Sequence, residues 1–173
     1  MKIGRKIFLS FLVVAVISDI GGIAGLAAVV NTNRQYSEAL TAYGFAQGDI
    51  GMFNTEFNNG AVLLRDMILQ TTAGDREKSY KELQKSDKKL DAYYAKIKNG
   101  LVTKAEKDDY NDIKAYFDAF QSQKAEVVEF ARKGLNSAAY SMLENTAGPL
   151  SDNVRTSVEK LLLEKTTVGA QLS

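Results

Sequence analysis

TAYGFAQGDIGMFNTEFNNGAVLLRDMILQTTAGD, residues 41–75, reads as most of one long helix and the turn that ends it. Tyr43, Gln47, Ile50, Asn54, Phe57, Ala61, Leu64 and Ile68 recur at alternating spacings of four and three, so they fall on one face of a helix as a narrow, heptad-like seam. A strand needs period two, and no segment of the chain has it. Tyr36 and Leu40 extend the seam upstream, which predicts a helix over residues 31–72. Gly74 is placed to close it in a left-handed conformation, and Asp75 to cap the next helix.

The same rhythm recurs three times. A second helix is predicted over 76–98, with Tyr80, Leu83, Asp87, Leu90, Tyr94 and Ile97 on its seam and Asn99 and Gly100 as its stop. Thr103 and Glu106 have the spacing of a capping box and open a third helix that reaches about residue 133 through Tyr110, Ile113, Phe117, Phe120, Val127 and Ala131. Gly134 ends it. Asn136 or Ser137 caps a fourth, carrying Met142, Leu143, Leu150, Val154, Val158, Leu161, Val168 and Leu172. Four helices joined by short turns predict an all-α fold, an antiparallel up-down-up-down four-helix bundle. Asp87 and Lys124 both occupy seam positions and are expected to pair, which would fix the register of the second helix on the third. Tyr93, Tyr94, Tyr110, Tyr116 and Phe117 form an aromatic set that would line either a pocket or the core, and helical spacing favours the core. The lysine-rich stretch at 75–98 reads as a solvated face.

Composition removes most chemistry. The chain has no His, no Cys and no Trp, so imidazole bases, thiolate nucleophiles, disulfides and the usual soft metal sites are missing. Its carboxylates are scattered among lysines. No catalytic residue, metal ligand or cofactor is assigned, and an enzyme is not expected. Lys and Arg number 22 against 21 Asp and Glu, and the basic residues are dispersed, which argues against a nucleic-acid partner.

The N-terminus carries the topology. MKIGRK, residues 1–6, is a basic lead, and IFLSFLVVAVISDIGGIAGLAAVV, residues 7–30, follows with Asp19 as its one charge. As a helix this stretch is about 36 Å long, enough for a ~30 Å hydrocarbon core with some tilt. The basic lead puts the N-terminus in the cytoplasm and everything from Asn31 onward outside, periplasmic or extracellular. A cleaved signal peptide is the competing reading; a retained anchor is preferred because apolar character runs past the usual cleavage distance and passes straight into the helical pattern. The expected division is a cytoplasmic lead and transmembrane helix at 1–30, continuous with the first helix of an extracytoplasmic bundle at 31–173. Asp19 and Ser18 with Gly21, Gly22 and Gly25 would form a helix-packing face, a reading preferred to a signalling role for Asp19. The polar stretch before Ser173 would naturally precede a second crossing, so the chain is expected to be the N-terminal part of a longer protein.

Arg65 lies one residue past the seam position Leu64, about 100° around the helix. It shares its face with Asn58 and Thr72 at seven-residue spacing and with Asn54 beyond, a polar strip beside the core seam. A guanidinium presents a planar fork suited to a carboxylate or phosphate. Arg65, Asn58, Asn54 and Thr72 are therefore the candidate ligand-binding residues. The plainer alternative makes Arg65 a surface residue or the partner of a neighbouring helix's carboxylate.

A basic-led membrane helix running into a long first helix, then the segment LLRDMIL, then three more amphipathic helices, resembles the four-helix-bundle sensor region of bacterial methyl-accepting chemotaxis receptors. The resemblance covers essentially the whole chain, and its sharpest local match is the arginine-bearing segment at 62–69. It implies an extracytoplasmic ligand-binding domain in the inner or plasma membrane that works as a parallel homodimer. The ligand would be a small molecule, an organic anion in the best-known cases, and binding would be passed across the membrane by a helix shift. Arg65 matches the last of the family's first-helix arginines, while Glu56 and Ala61 stand at the others. Pro149 resembles the fourth-helix proline, with Leu150 where the pattern has a hydroxyl residue. The sensor region of a histidine kinase or cyclase, and a membrane-anchored structural or partner-binding bundle without a small ligand, are the alternatives.

Overall fold

The computed structural model describes the backbone of residues 3–171 and the side-chain surroundings of residues 3, 4, 12, 22 and 24–167. It contains two compact units, Met1–Leu40 and Thr41–Ser173. The first is built on one helix, α1 (Ile3–Ala39). The membrane span expected at 7–30 falls mainly on side chains outside the described residues. Among the described residues, no helix is long and apolar enough to cross a membrane.

The second unit is an all-α four-helix bundle. After a π-helical turn at Leu40–Phe45 come α2 (Ala46–Leu69), α3 (Ala73–Ile97), α4 (Lys104–Arg132), α5 (Asn136–Met142) and α6 (Gly148–Gln171). The second and third bundle helices, α3 and α4, stand within three residues of where periodicity put them, and their ends can be traced to local chemistry. Thr103 accepts a hydrogen bond from the Glu106 N–H at 3.1 Å, and the Glu106 carboxylate accepts from the Thr103 N–H at 3.0 Å and the Val102 N–H at 2.6 Å, a complete capping box at the start of α4. Gly134 ends α4 with φ +73°, the left-handed conformation glycine adopts without penalty. Gly100 lets the α3–α4 connection press on α2, since a methyl group there would collide with Ala46.

The first turn forms differently from expectation. Gln70 goes extended and ends α2 at Leu69, three residues early. Thr72, not Asp75, is the cap of α3: its hydroxyl accepts from the Asp75 N–H at 3.1 Å and donates to the Asp75 carboxylate at 2.7 Å. Gly74 consequently sits inside the first turn of α3 with ordinary helical φ, because the hydroxyl at position 72 already satisfies the helix's leading N–H groups. Two π-helical turns also replace continuous α-helix. One, at Leu40–Phe45, interrupts the single first helix that was expected. The other, Leu143–Ala147, divides the fourth helix just before Pro149. Proline has no N–H for the carbonyl four residues back and its ring crowds that carbonyl. The ladder adjusts by widening, with the Gly148 N–H bonding to the Leu143 carbonyl.

The core runs the length of this unit through Ile50, Phe57, Leu64 and Ile68 of α2, Leu83 and Leu90 of α3, Ile113, Phe117 and Val127 of α4 and Val154, Val158 and Leu161 of α6. On α2 the buried stripe is wider than the predicted seam. It takes in Phe53, Gly60 and Met67, as a core-facing helix needs apolar residues at i, i+3 and i+4. Phe53, Phe57, Tyr94, Phe117 and Phe120 pack ring against ring with centroids 5.0–6.2 Å apart, and Tyr110 stacks on Tyr94 at 5.5 Å. Most of the aromatic set is thus core, while Tyr116 is exposed. Asp87 and Lys124 do pair, joining α3 to α4 through a lysine that is almost fully buried.

Candidate functional site

Arg65 is exposed on α2 and, among the described residues, has no hydrogen bond or ion pair. It borders a small cleft of about 160 Å³ between α2 and the start of the fourth helix. Ala61 and Leu64 form the α2 wall, Phe120 of α4 contributes from the core, and Pro149, Ser151, Asp152 and Arg155 come from α6. The break at Gly148 and Pro149 places these last residues, because the chain leaves the π-turn and starts a new α-helix there.

None of the other three predicted residues lines the cleft, although Asn58, with Asn54 behind it, bonds to one residue that does, Arg155. The Asn58 amide donates to the Asn54 side-chain oxygen at 3.2 Å. Asn58 in turn accepts from Arg155 Nε at 2.8 Å, and Arg155 is also paired with Asp152 at 2.7 Å. This chain of polar contacts crosses from α2 to α6 beside the cleft, with the Arg155 guanidinium 5.8 Å above the Phe57 ring. Thr72 is committed to capping α3 and does not line the cleft.

Sequence reasoning missed Arg155 and Ser151. Arg155 is the one arginine of α6, three residues after Asp152, a spacing that puts both on one helical face. Ser151 follows Leu150 directly, so the hydroxyl looked for beside Pro149 stands one position later. It is 5 % exposed, and its Oγ has no hydrogen-bond partner. Leaving a buried hydroxyl unpaired costs about 1–3 kcal/mol.

The cleft therefore offers an unpaired guanidinium, a hydroxyl in want of a partner, and an apolar wall. Glu144 and Asp152 also border it, which leaves its net charge near zero. At about 160 Å³ the cleft lies below the usual range of a complete small-molecule pocket, so it has room for a group of a few heavy atoms and no large body. A larger groove of about 720 Å³ separates α3 from α4. Most of its charges are tied to one another, Lys124 to Asp87, Arg132 to Glu77 and Lys133 to Glu129, while Arg76 donates to the Gln70 and Thr71 carbonyls and keeps a buried Nε without a partner. Arg132 also covers the Tyr80 ring at 4.3 Å.

A family model described as a four helix bundle sensory module for signal transduction matches residues 1–173. No curated protein matches the chain.

Proposed function

The chain belongs to the family of four-helix-bundle sensory modules for signal transduction, and we propose that it is the extracytoplasmic ligand-sensing domain of a transmembrane chemoreceptor. In this reading residues 7–30 anchor the chain in the cell membrane, with the basic lead inside and the bundle outside. A small organic anion binds at Arg65, with Ser151 and the Asn54–Asn58–Arg155 chain of contacts around it. The observation that carries the reading is the pairing of an unsatisfied Ser151 hydroxyl with an unpaired Arg65 across the first and last bundle helices. Binding there favours one packing of α6 against α2 over another, and a displacement of α6 by an ångström or two is the signal. A thermal-shift screen of small carboxylic acids should yield a stabilising hit worth about 2.7 kcal/mol at a hundred times its dissociation constant. A screen without any hit would favour a bundle that binds a partner and no small ligand.

The site's small volume suits half of a shared pocket, and α2 carries a surface for a second copy. Phe45, Gly48, Met52, Thr55, Asn59, Val62, Asp66 and Leu69 are all exposed and recur at spacings of three and four, a heptad-like strip in which Asn59 also bonds Ser86 of α3 at 3.4 Å. Arg65 stands next to Asp66 on the edge of that strip. Two-fold pairing through α2 would bring two Arg65 clefts to one interface. Single cysteines at Met52 or Val62 should crosslink two copies in the membrane-anchored protein, whereas a cysteine at the exposed Lys88 of α3 should not. Equal crosslinking at all three positions would remove the parallel dimer from the proposal.

A further inference from the structure

Far along α6 from the cleft, a group of titratable side chains gathers between α6 and α4, with Glu106, Asp109 and Lys165 buried and Lys160 exposed. Lys165 pairs with Glu106 at 2.9 Å, and neither side chain has exposed surface. One turn earlier on α6, Lys160 reaches Asp109 Oδ1 at 2.5 Å, and Asp109 is almost fully buried. Glu164 stands between these two lysines in the chain. Its Oε2 and the second oxygen of Asp109, Oδ2, are both enclosed, and neither has a hydrogen-bond donor. Glu164 stands four residues after Lys160 on the same face of α6, and Lys160 reaches Asp109, which brings the two enclosed acceptors to one place on the seam. Two acceptors cannot satisfy each other while both are ionised. One proton between them satisfies both, by turning one acceptor into a donor.

We propose that the module has a second input, a proton-binding site made by the Asp109 and Glu164 carboxyl groups across the α4–α6 seam, which latches α6 to α4 when it is occupied. The groups facing Glu164 favour this. From α4 come Asp109 and Glu106, with Asp112 close to Lys160. From α6 itself comes Lys160, whose ammonium is engaged by Asp109. Lys165 is turned toward Glu106 and the carbonyls of Ala42 and Gly100, with the Tyr43 ring 5.1 Å away. From α2, Gln47 is neutral and donates to the Lys165 carbonyl at 3.1 Å. Burial pushes the Glu164 carboxyl above the ordinary carboxylate range, and the charge of Asp109 pushes in the same direction against the pull of Lys160. Loss of the proton leaves two like charges across the seam, which drives α6 away from α4.

The same helix carries Ser151 and Arg155 of the cleft about 14–20 Å away along its axis. A proton and a cleft ligand would therefore bias one element from two places, which is the condition for coupling between inputs. The proton site stands on its own geometry and does not depend on what the cleft binds.

The test is a carbon-detected NMR titration of carboxyl groups in the full 173-residue chain. Glu164 should take up its proton above the ordinary carboxylate range, and Asp109→Asn should move that midpoint down, because an amide donates where the acid repelled and Lys160 becomes free to pair with Glu164. The melting temperature supplies an independent reading. A carboxyl with a raised folded pKa makes the folded state bind more protons than the unfolded one, so stability falls as pH rises from the unfolded value through the folded one. Wild type should show this fall and Glu164→Gln should not. A Glu164 that titrates in the ordinary range, or a raised midpoint that Asp109→Asn leaves in place, would overturn the shared-proton site.

Discussion

Lys165→Met should destabilise the bundle by about 3–5 kcal/mol and lower its melting temperature by roughly 10 °C or more. The ammonium sits 2.9 Å from the Glu106 carboxylate, donates to the Ala42 carbonyl at 3.0 Å and also donates to the Gly100 carbonyl. All three of its N–H groups are thus engaged in a site with no exposed surface. Methionine fills a similar volume but leaves a buried carboxylate without its cation and two carbonyls without a donor. Removing both charges should be milder than removing one, so Lys165→Met with Glu106→Gln should recover part of the loss while keeping an acceptor for the α4 cap. Urea unfolding of the four proteins in the cycle measures this directly. A single-mutant loss below about 1 kcal/mol would mean that water reaches the pair.

The pH response gives the same prediction a sign. Burial alone would raise the Glu106 carboxyl, but Lys165 and the Val102 and Thr103 N–H groups together hold it below its ordinary value. A depressed folded pKa contributes stability above the unfolded value, and that contribution is lost as pH falls through the folded value. In Lys165→Met the cation is gone and burial remains. The variant should therefore lose less than wild type on mild acidification, and the gap between the two should narrow.

How much of this was legible in the sequence depended on the range of the interaction. Caps and stops are settled within four residues, which is why Thr103, Glu106 and Gly134 could be read in advance. Thr72 was available to the same logic, and was missed only because Gly74 and Asp75 offered a competing turn. Pairing across helices is a different matter. Asp87 and Lys124 were found because charged residues stood on otherwise apolar seams. Lys165 follows Val154, Val158 and Leu161 at spacings of four, three and four, and Glu106 and Asp109 precede Ile113 in the same way, so both seams carried the signal. What hid them was their position near helix ends, where a solvated lysine or a capping glutamate is the ordinary expectation. Arg155 and Ser151 are a third case. Their roles depend on where α6 restarts after the π-turn, and a π-turn leaves no periodic mark in the sequence.

Arg65→Ala should weaken binding of an anionic ligand by about 2–4 kcal/mol, roughly 30- to 1000-fold, and change the stability of the ligand-free bundle by no more than about 1 kcal/mol. Its exposed guanidinium contacts no carboxylate among the described residues, so folding has little to lose. A ligand carboxylate that enters the cleft gains a charge-assisted, two-point contact there, and that contact is what the substitution removes. Arg155→Ala should behave differently. Arg155 is held by Asn58 and Asp152 and covers the Phe57 ring, so its loss should loosen the α2–α6 contact and reduce stability and affinity together. Calorimetric titration of a confirmed ligand, alongside melting curves of the two variants, separates a residue that binds from one that supports. Unchanged affinity in Arg65→Ala would remove Arg65 from the site, and the unsatisfied Ser151 hydroxyl would then need another explanation.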